Sequence, residues 1–289
     1  MATTAVLDRL RLGDHACVLV DDDAGRLDSL AAYIGAGLRE DDRILYFGPA
    51  PGELTTGLAA RGLDVRPALD RGQLRMATPE ESYLSGGSFD PEATMAGWRA
   101  ESAQARADGF RGLRAIGDMS WAARPVPGAE RLPWYEAHVN RVFADGDAMA
   151  ICLYDRRVFT ETALQRICWS HPATVDRDTA PSAEPALRAV RTIDPPGLRL
   201  TGDADLSNRH ALQAVLENLF EDTPDPGGPL TVDLSGLRFA DSAAMRILLR
   251  IAVAESHRLR VVGCSATMQR LLAFNGAGAV AGLTVEPTA

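Results

Sequence analysis

Five short strand-like runs alternate with stretches of helical period over the first 170 residues. That alternation limits the fold more than any other feature of the chain. Ala16-Cys-Val-Leu-Val20 is a continuous apolar run, as a strand covered on both faces requires. Leu27, Leu30, Ala31, Ile34 and Leu38 then recur at helical spacing. Ile44-Leu-Tyr-Phe47 predicts a second strand closed by Gly48-Pro49, and residues 52–61 a helix ended by Gly62. Leu74-Arg-Met-Ala77 is a weaker strand and Leu113-Arg-Ala-Ile116 a further one. Between them, a helix over 91–108 has Pro91 in its first turn and Gly109 at its end. A helix over 129–143, the strand Met149-Ala-Ile-Cys-Leu-Tyr154 and a helix over 159–170 complete the series. Such a pattern predicts an α/β fold, a mostly parallel sheet with helices on both faces.

The stretch Thr174-Val-Asp-Arg-Asp-Thr-Ala-Pro-Ser-Ala-Glu-Pro185 is polar and holds two prolines. It divides the chain into a first domain over 1–175, a linker over 176–185 and a second domain over 186–289. In the second part, Leu198-Arg-Leu-Thr201 is expected to pair with Leu187–Ile193 across the Asp194-Pro-Pro-Gly197 turn. A helix over 207–221, a strand Leu230–Leu234, a helix Ala243–Ser256 and a strand Leu259–Val262 follow. Ser265 is placed to cap a last helix ending at Asn275-Gly276.

Composition then excludes chemistries. All 30 basic residues are Arg, against 39 Asp plus Glu, for a net charge of −9. Without Lys there is no phosphate-binding loop of the Lys-containing type and no Schiff-base mechanism. An acidic chain is a poor default binder of nucleic acid. No apolar run approaches the ~18 residues of a membrane span, and the start MATTAVLDRLRLGDH lacks the apolar core of a signal peptide. A cytoplasmic protein with no membrane or direct nucleic-acid partner is expected. The cysteines, at 17, 152, 168 and 264, form no CxxC pair and read as buried reduced thiols.

In open α/β sheets, ligands lie outside the carboxyl ends of the strands. The predicted strand ends supply Asp21, Asp118, Trp121 and Tyr154. The acidic run Asp21-Asp-Asp23 also suits helix capping. His15, His138 and His171 are too separated in sequence to read as a catalytic set. Cys168-Trp-Ser-His171 has metal-like spacing, but no second ligand pair accompanies it. No catalytic residue, metal or cofactor is expected, and the chain does not read as an enzyme.

Gly13-Asp-His15, Gly117-Asp-Met-Ser-Trp121, Tyr135-Glu-Ala-His-Val-Asn140, Ile151-Cys-Leu-Tyr-Asp-Arg-Arg157 and His171-Pro172 occur in that order. Together they resemble the MEDS domain of methanogen and methylotroph sensory proteins, over about residues 8–175. The resemblance implies a RecA-like or KaiC-like fold that has lost nucleotide hydrolysis and senses a small organic ligand. His15, Asp21, Asp118, Trp121, Glu136 and Tyr154 are the candidate ligand-binding residues.

Val232-Asp-Leu-Ser-Gly-Leu-Arg-Phe-Ala-Asp-Ser-Ala-Ala-Met245, with Leu198-Arg-Leu-Thr-Gly-Asp-Ala-Asp205 and Val261-Val-Gly-Cys-Ser265, resembles STAS domains over about residues 186–287. That resemblance implies a small sheet flanked by helices and the role of an anti-sigma factor antagonist. The partner would be an anti-sigma factor of the kinase type, or another regulator of that pathway. In such antagonists the strand-to-helix junction reads Asp-Ser-[Ser/Thr]-Gly, and the second hydroxyl takes a phosphate. Here it reads Asp241-Ser242-Ala243-Ala244, so the phosphoacceptor position is Ala243. Asp241, Ser242 and Ala243 are the candidate partner-binding switch. Two other readings stay open: a degenerate RecA-like nucleotide-binding enzyme, supported only by the acidic rim, and a non-catalytic assembly scaffold.

Overall fold

In the computed structural model, which describes residues 2–180, 182–223, 228–254 and 258–287, the alternation of the first half becomes one six-stranded parallel sheet. Its strands are β1 (His15–Val20), β2 (Arg43–Phe47), β3 (Leu74–Ala77), β4 (Leu113–Asp118), β5 (Ala148–Asp155) and β6 (Ala173–Val175), in the order β3-β2-β4-β5-β1-β6. The central strands β1, β4 and β5 are buried along their whole lengths, and β1 and β5 accordingly show nearly unbroken apolar runs, whereas β4 buries the charged Arg114 and Asp118. The helices are α1 (Ala2–Leu7), α2 (Asp23–Arg39), α3 (Pro51–Ala60), α4 (Arg66–Asp70), α5 (Pro91–Ala107), α6 (Leu132–His138), α7 (Asn140–Phe143) and α8 (Glu161–Trp169). Side chains cap three of them. Asp22 accepts from the Gly25 N–H at 2.7 Å, Asp90 from Ala93 at 2.9 Å and Thr160 from Ala163 at 3.3 Å.

Four expectations need correction. The single helix over 129–143 is a 3₁₀ turn followed by α6 and α7, interrupted at Val139. The cause is Asn140, whose side-chain amide donates back to the carbonyls of Glu136 and Ala137 and competes with the helix. The three-residue β6 overlaps the polar stretch that begins at Thr174, and so short an element shows no period. The short α1 and α4 escaped for the same reason. The helix expected from Ser207 starts from a 3₁₀ turn capped by Asp205 and Asn208.

The second domain has a five-stranded sheet in the order β11-β10-β9-β8-β7. Its strands are β7 (Leu187–Ile193), β8 (Pro196–Ala204), β9 (Leu230–Ala240), β10 (Leu259–Cys264) and β11 (Leu283–Pro287), the last not foreseen. Only β7 runs antiparallel, hairpinned to β8 as the turn residues predict. Helices α9 (Arg209–Glu217), α10 (Ser242–Ala254) and α11 (Ala266–Phe274) flank it. The expected end of α10 at Ser256 lies outside the described residues. Ser265 caps α11 through the Met268 N–H, and Gly276 closes it at φ +95°.

Candidate functional site

Strand alternation sorts the first domain's side chains onto two faces. His15, Cys17 and Leu19 of β1 lie beside Ala150, Cys152 and Tyr154 of β5, register partner by register partner. α6 covers this face and sets Glu136 above Cys152. The turn after α8 adds His171, and α7 adds Asn140. The result is a buried polar cluster inside an otherwise apolar layer.

The distances are short and mutually consistent. His15 Nε2 lies 3.4 Å from Glu136 Oε2 and 3.3 Å from Cys152 Sγ. The Cys152 thiol is 3.4 Å from the same carboxylate oxygen, and His171 Nε2 is 3.3 Å from it. Tyr154 donates its hydroxyl hydrogen to the other oxygen, Glu136 Oε1. The two imidazole rings lie 4.3 Å apart, centroid to centroid. The four potential ligand atoms of His15, Glu136, Cys152 and His171 all fall within 4.8 Å of one another.

Hydrogen bonds outside the cluster orient both rings. His15 Nδ1 donates to Asn140 Oδ1 at 3.0 Å, and His171 Nδ1 donates to the Ile167 carbonyl at 2.8 Å. The Asn140 amide is identified by its Nδ2, which faces three carbonyls, those of Glu136, Ala137 and Ser170. Its oxygen can therefore only accept from His15. Each histidine is left with its Nε2 aimed inward.

Burial pushes the Glu136 carboxyl up, but the adjacent imidazoles outweigh that, and it stays below the usual carboxylate range. Burial pulls His171 down, and Glu136 more than compensates, so its value ends raised. His15 is lowered, by burial and then by His171. Burial raises the Cys152 thiol and the Tyr154 phenol. The cluster can thus hold one positive centre beside the Glu136 carboxylate.

Of the six expected ligand residues, the fold brings together His15, Glu136 and Tyr154. Asp118 pairs instead with Arg26 at 2.7 Å, and Asp21 lies 3.7 Å from Arg156. Trp121 is buried 5.6 Å from Tyr83 and 5.0 Å from Phe89, ring to ring. The sequence reading passed over Cys152, His171 and Asn140. The available signal was spacing, with Glu136 and Asn140 four apart on a helix and Cys152 and Tyr154 two apart on a strand. Cys168 and His171 do not act as a pair, because Cys168 turns to Cys17 and Thr174. His138 is elsewhere, stacked on Trp134 in a groove shared with Arg209 and His210 of the second domain.

A separate pocket of about 720 Å³ opens beside Phe47, Tyr83 and Trp98, with Arg75 and Glu101 at its edge. Its size and aromatic wall suit a small organic molecule.

The cluster also borders the second domain. Gly13, at φ +99°, leads the chain into β1, and the neighbouring Asp14 and His15 find different partners. Asp14 receives both arms of the Arg188 guanidinium from β7, at 2.6 and 2.7 Å. Next to Asn140, Arg141 donates to Asn218 at 2.8 Å and to Asp222. In the second domain, Asp241 Oδ1 accepts from the Ala244 N–H at 2.7 Å and caps α10. The Ser242 hydroxyl is held by Asn275 at 3.1 Å.

Compared with known families, residues 14–172 match MEDS, the methanogen/methylotroph, DcmR sensory domain. The chain belongs to the MEDS family. Residues 188–283 match the Mlab, STAS domain, so a STAS domain follows the MEDS domain. No curated protein matches the chain. Solved structures similar to it include the flagellar accessory protein FlaH from Methanocaldococcus jannaschii, 12% identical with a TM-score of 0.39, covering 70% of this chain and 82% of that one. A KaiC-like protein from Pyrococcus horikoshii is 10% identical with a TM-score of 0.42, covering 65% and 77%. The MEDS and STAS domains together make this a sensory, regulatory type of protein.

Proposed function

We propose that the MEDS domain senses a small organic ligand and thereby controls an anti-sigma factor antagonist, the STAS domain, which binds a kinase-type anti-sigma factor. The protein works by binding and not by catalysis. The observation that carries this reading is the seam between the domains. The residues flanking the buried cluster, Asp14 beside His15 and Arg141 beside Asn140, are the ones that grip Arg188, Asn218 and Asp222 of the STAS domain. A change in the sensor's core therefore has a short physical route to the partner-binding domain.

Two further features support it. Asp22 occupies the N-terminus of α2, where a nucleotide phosphate would otherwise bind, and puts a carboxylate there. At the STAS junction, Ala243 has no hydroxyl, and the neighbouring Ser242 hydroxyl is engaged by Asn275. Control by phosphate is replaced by control from the sensor.

Affinity capture with the full chain from a native lysate, read by mass spectrometry, tests the partner. A kinase-type anti-sigma factor is expected, and Ala243→Glu, which adds charge at the start of α10, should reduce its recovery. Recovery of no such partner, or equal recovery by the variant, refutes the reading. Mass spectrometry of small molecules released on denaturing the protein tests the sensor, and a chain that releases none favours an assembly scaffold.

A further inference from the structure

We propose that His15 Nε2, Glu136 Oε2, Cys152 Sγ and His171 Nε2 form a closed, four-coordinate site for a divalent transition-metal ion of the zinc class. The inference concerns the first domain alone and does not depend on the partner of the STAS domain.

The first argument is size. Bonds from zinc to these donors run about 2.0–2.3 Å, so the edges of the coordination tetrahedron are about 3.3–3.8 Å. Four of the six edges already measure 3.3 or 3.4 Å. Only small rotations of side chains are left to complete the shell.

The second argument is donor accounting. Both Nδ1 atoms are committed outward, to Asn140 and to the Ile167 carbonyl, which are the outer partners that metal-bound histidines use. Two nitrogen lone pairs and a carboxylate then converge in a dry core. Their convergence fits a cation at their centre. His171 Nε2 is buried and approaches Glu136 to 3.3 Å with no hydrogen bond among the described residues. A divalent ion satisfies all the donors at once. With the Glu136 carboxylate and the Cys152 thiolate it also makes the site electrically neutral, the thiol proton leaving to solvent.

The third argument is selectivity. Two imidazoles, one thiolate and one carboxylate suit zinc-like ions and disfavour magnesium or calcium, which take all-oxygen shells. All four residues are at most 5% exposed, so no position opens to substrate. The site is structural or sensory and not hydrolytic.

The test uses the full chain, stripped with a chelator and titrated with Co²⁺ alone. One equivalent should bind with the intense visible bands of tetrahedral Co²⁺ and a thiolate-to-metal charge-transfer band, and Zn²⁺ should displace it. Cys152→Ser should lose the charge-transfer band, while Cys168→Ser keeps it. X-ray absorption of the zinc-loaded wild type gives the answer without a variant, as one sulfur at about 2.3 Å among nitrogen and oxygen at about 2.0–2.2 Å. A folded wild type that binds neither ion stoichiometrically overturns the proposal. So does a shell without sulfur, or a charge-transfer band that survives in Cys152→Ser.

Discussion

Cutting the ion pair between Asp14 and Arg188 should destabilise the protein asymmetrically, and the asymmetry measures how far the two domains share one core. The Asp14 side chain is 1% exposed and the Arg188 side chain 24%. Arg188→Ala strands a buried carboxylate whose one remaining hydrogen bond comes from the Arg11 N–H at 2.8 Å. Truncating one partner of such a pair costs about 2–5 kcal/mol, and a middle value of about 3 fits two charge-assisted bonds with one partner partly wet. Asp14→Asn removes the buried charge, keeps an acceptor for Arg11, and leaves a guanidinium that water can reach. Its cost should be about 1–2 kcal/mol. The double variant should be less destabilised than the sum of the singles by about 2 kcal/mol. Urea unfolding followed by tryptophan fluorescence is the assay, since all four Trp, at 98, 121, 134 and 169, lie in the MEDS domain. Arg188→Ala, a change in the STAS domain, should therefore lower the stability reported from the other domain. Costs below about 0.5 kcal/mol for both singles, with simple additivity, would show that the pair acts as an ordinary surface ion pair and that the seam transmits nothing.

Other outcomes follow from the same packing. Asn140→Ala should weaken metal binding about 10–100-fold, by freeing the His15 ring, in a Co²⁺ competition titration. Ala243→Ser should become a substrate for the partner kinase with labelled ATP, whereas the wild type should not. The Cys168 thiol is held down to about 6 by its hydrogen bond with Cys17, while burial raises Cys17 and Cys152 and pushes Cys264 up to about 11. Alkylation at neutral pH should thus label Cys168 first, with a rate that falls as the pH drops through about 6 and the thiolate is protonated. Asp42→Ala should cost about 2–5 kcal/mol in equilibrium unfolding, because Arg114, fully buried and 2.9 Å from Asp42, keeps only the partly exposed Glu40, 3.4 Å away, as a charge partner.

Much of the fold was legible because strands buried on both faces leave continuous apolar runs, and Ala16–Val20 and Met149–Tyr154 are such runs. Capping residues were equally visible in the Asp21–Asp23 run and at Ser265, since a cap acts within three residues of itself. The three-residue β6, the short α1 and the edge strand β11 were not, because they are held by neighbours and not by local pattern. Half of the candidate ligand residues met at one place, and the reason is instructive. The rim rule pointed to residues after the strands, and the arginines at 26 and 156 claim Asp118 and Asp21 there. The cluster lies instead on the face of the sheet under α6.

By itself the sequence determined the layered α/β architecture of the MEDS domain, the STAS domain behind it, the loss of lysine chemistry and the missing hydroxyl at Ala243. These are properties of residue type and of spacing over a few positions. Tertiary structure alone decided that His15, Glu136, Cys152 and His171 meet, since they stand on two strands, a helix and a turn spread across more than half of the chain. It also decided which nitrogen of each ring faces inward, because that depends on Asn140 and on the Ile167 carbonyl. Parallel pairing of β1 with β5 lays Cys17 against Cys152, and the helices crossing over that pair carry the other donors to it. Local spacing can mark Glu136 with Asn140 and Cys152 with Tyr154, but not the meeting of those two pairs with His15 and His171.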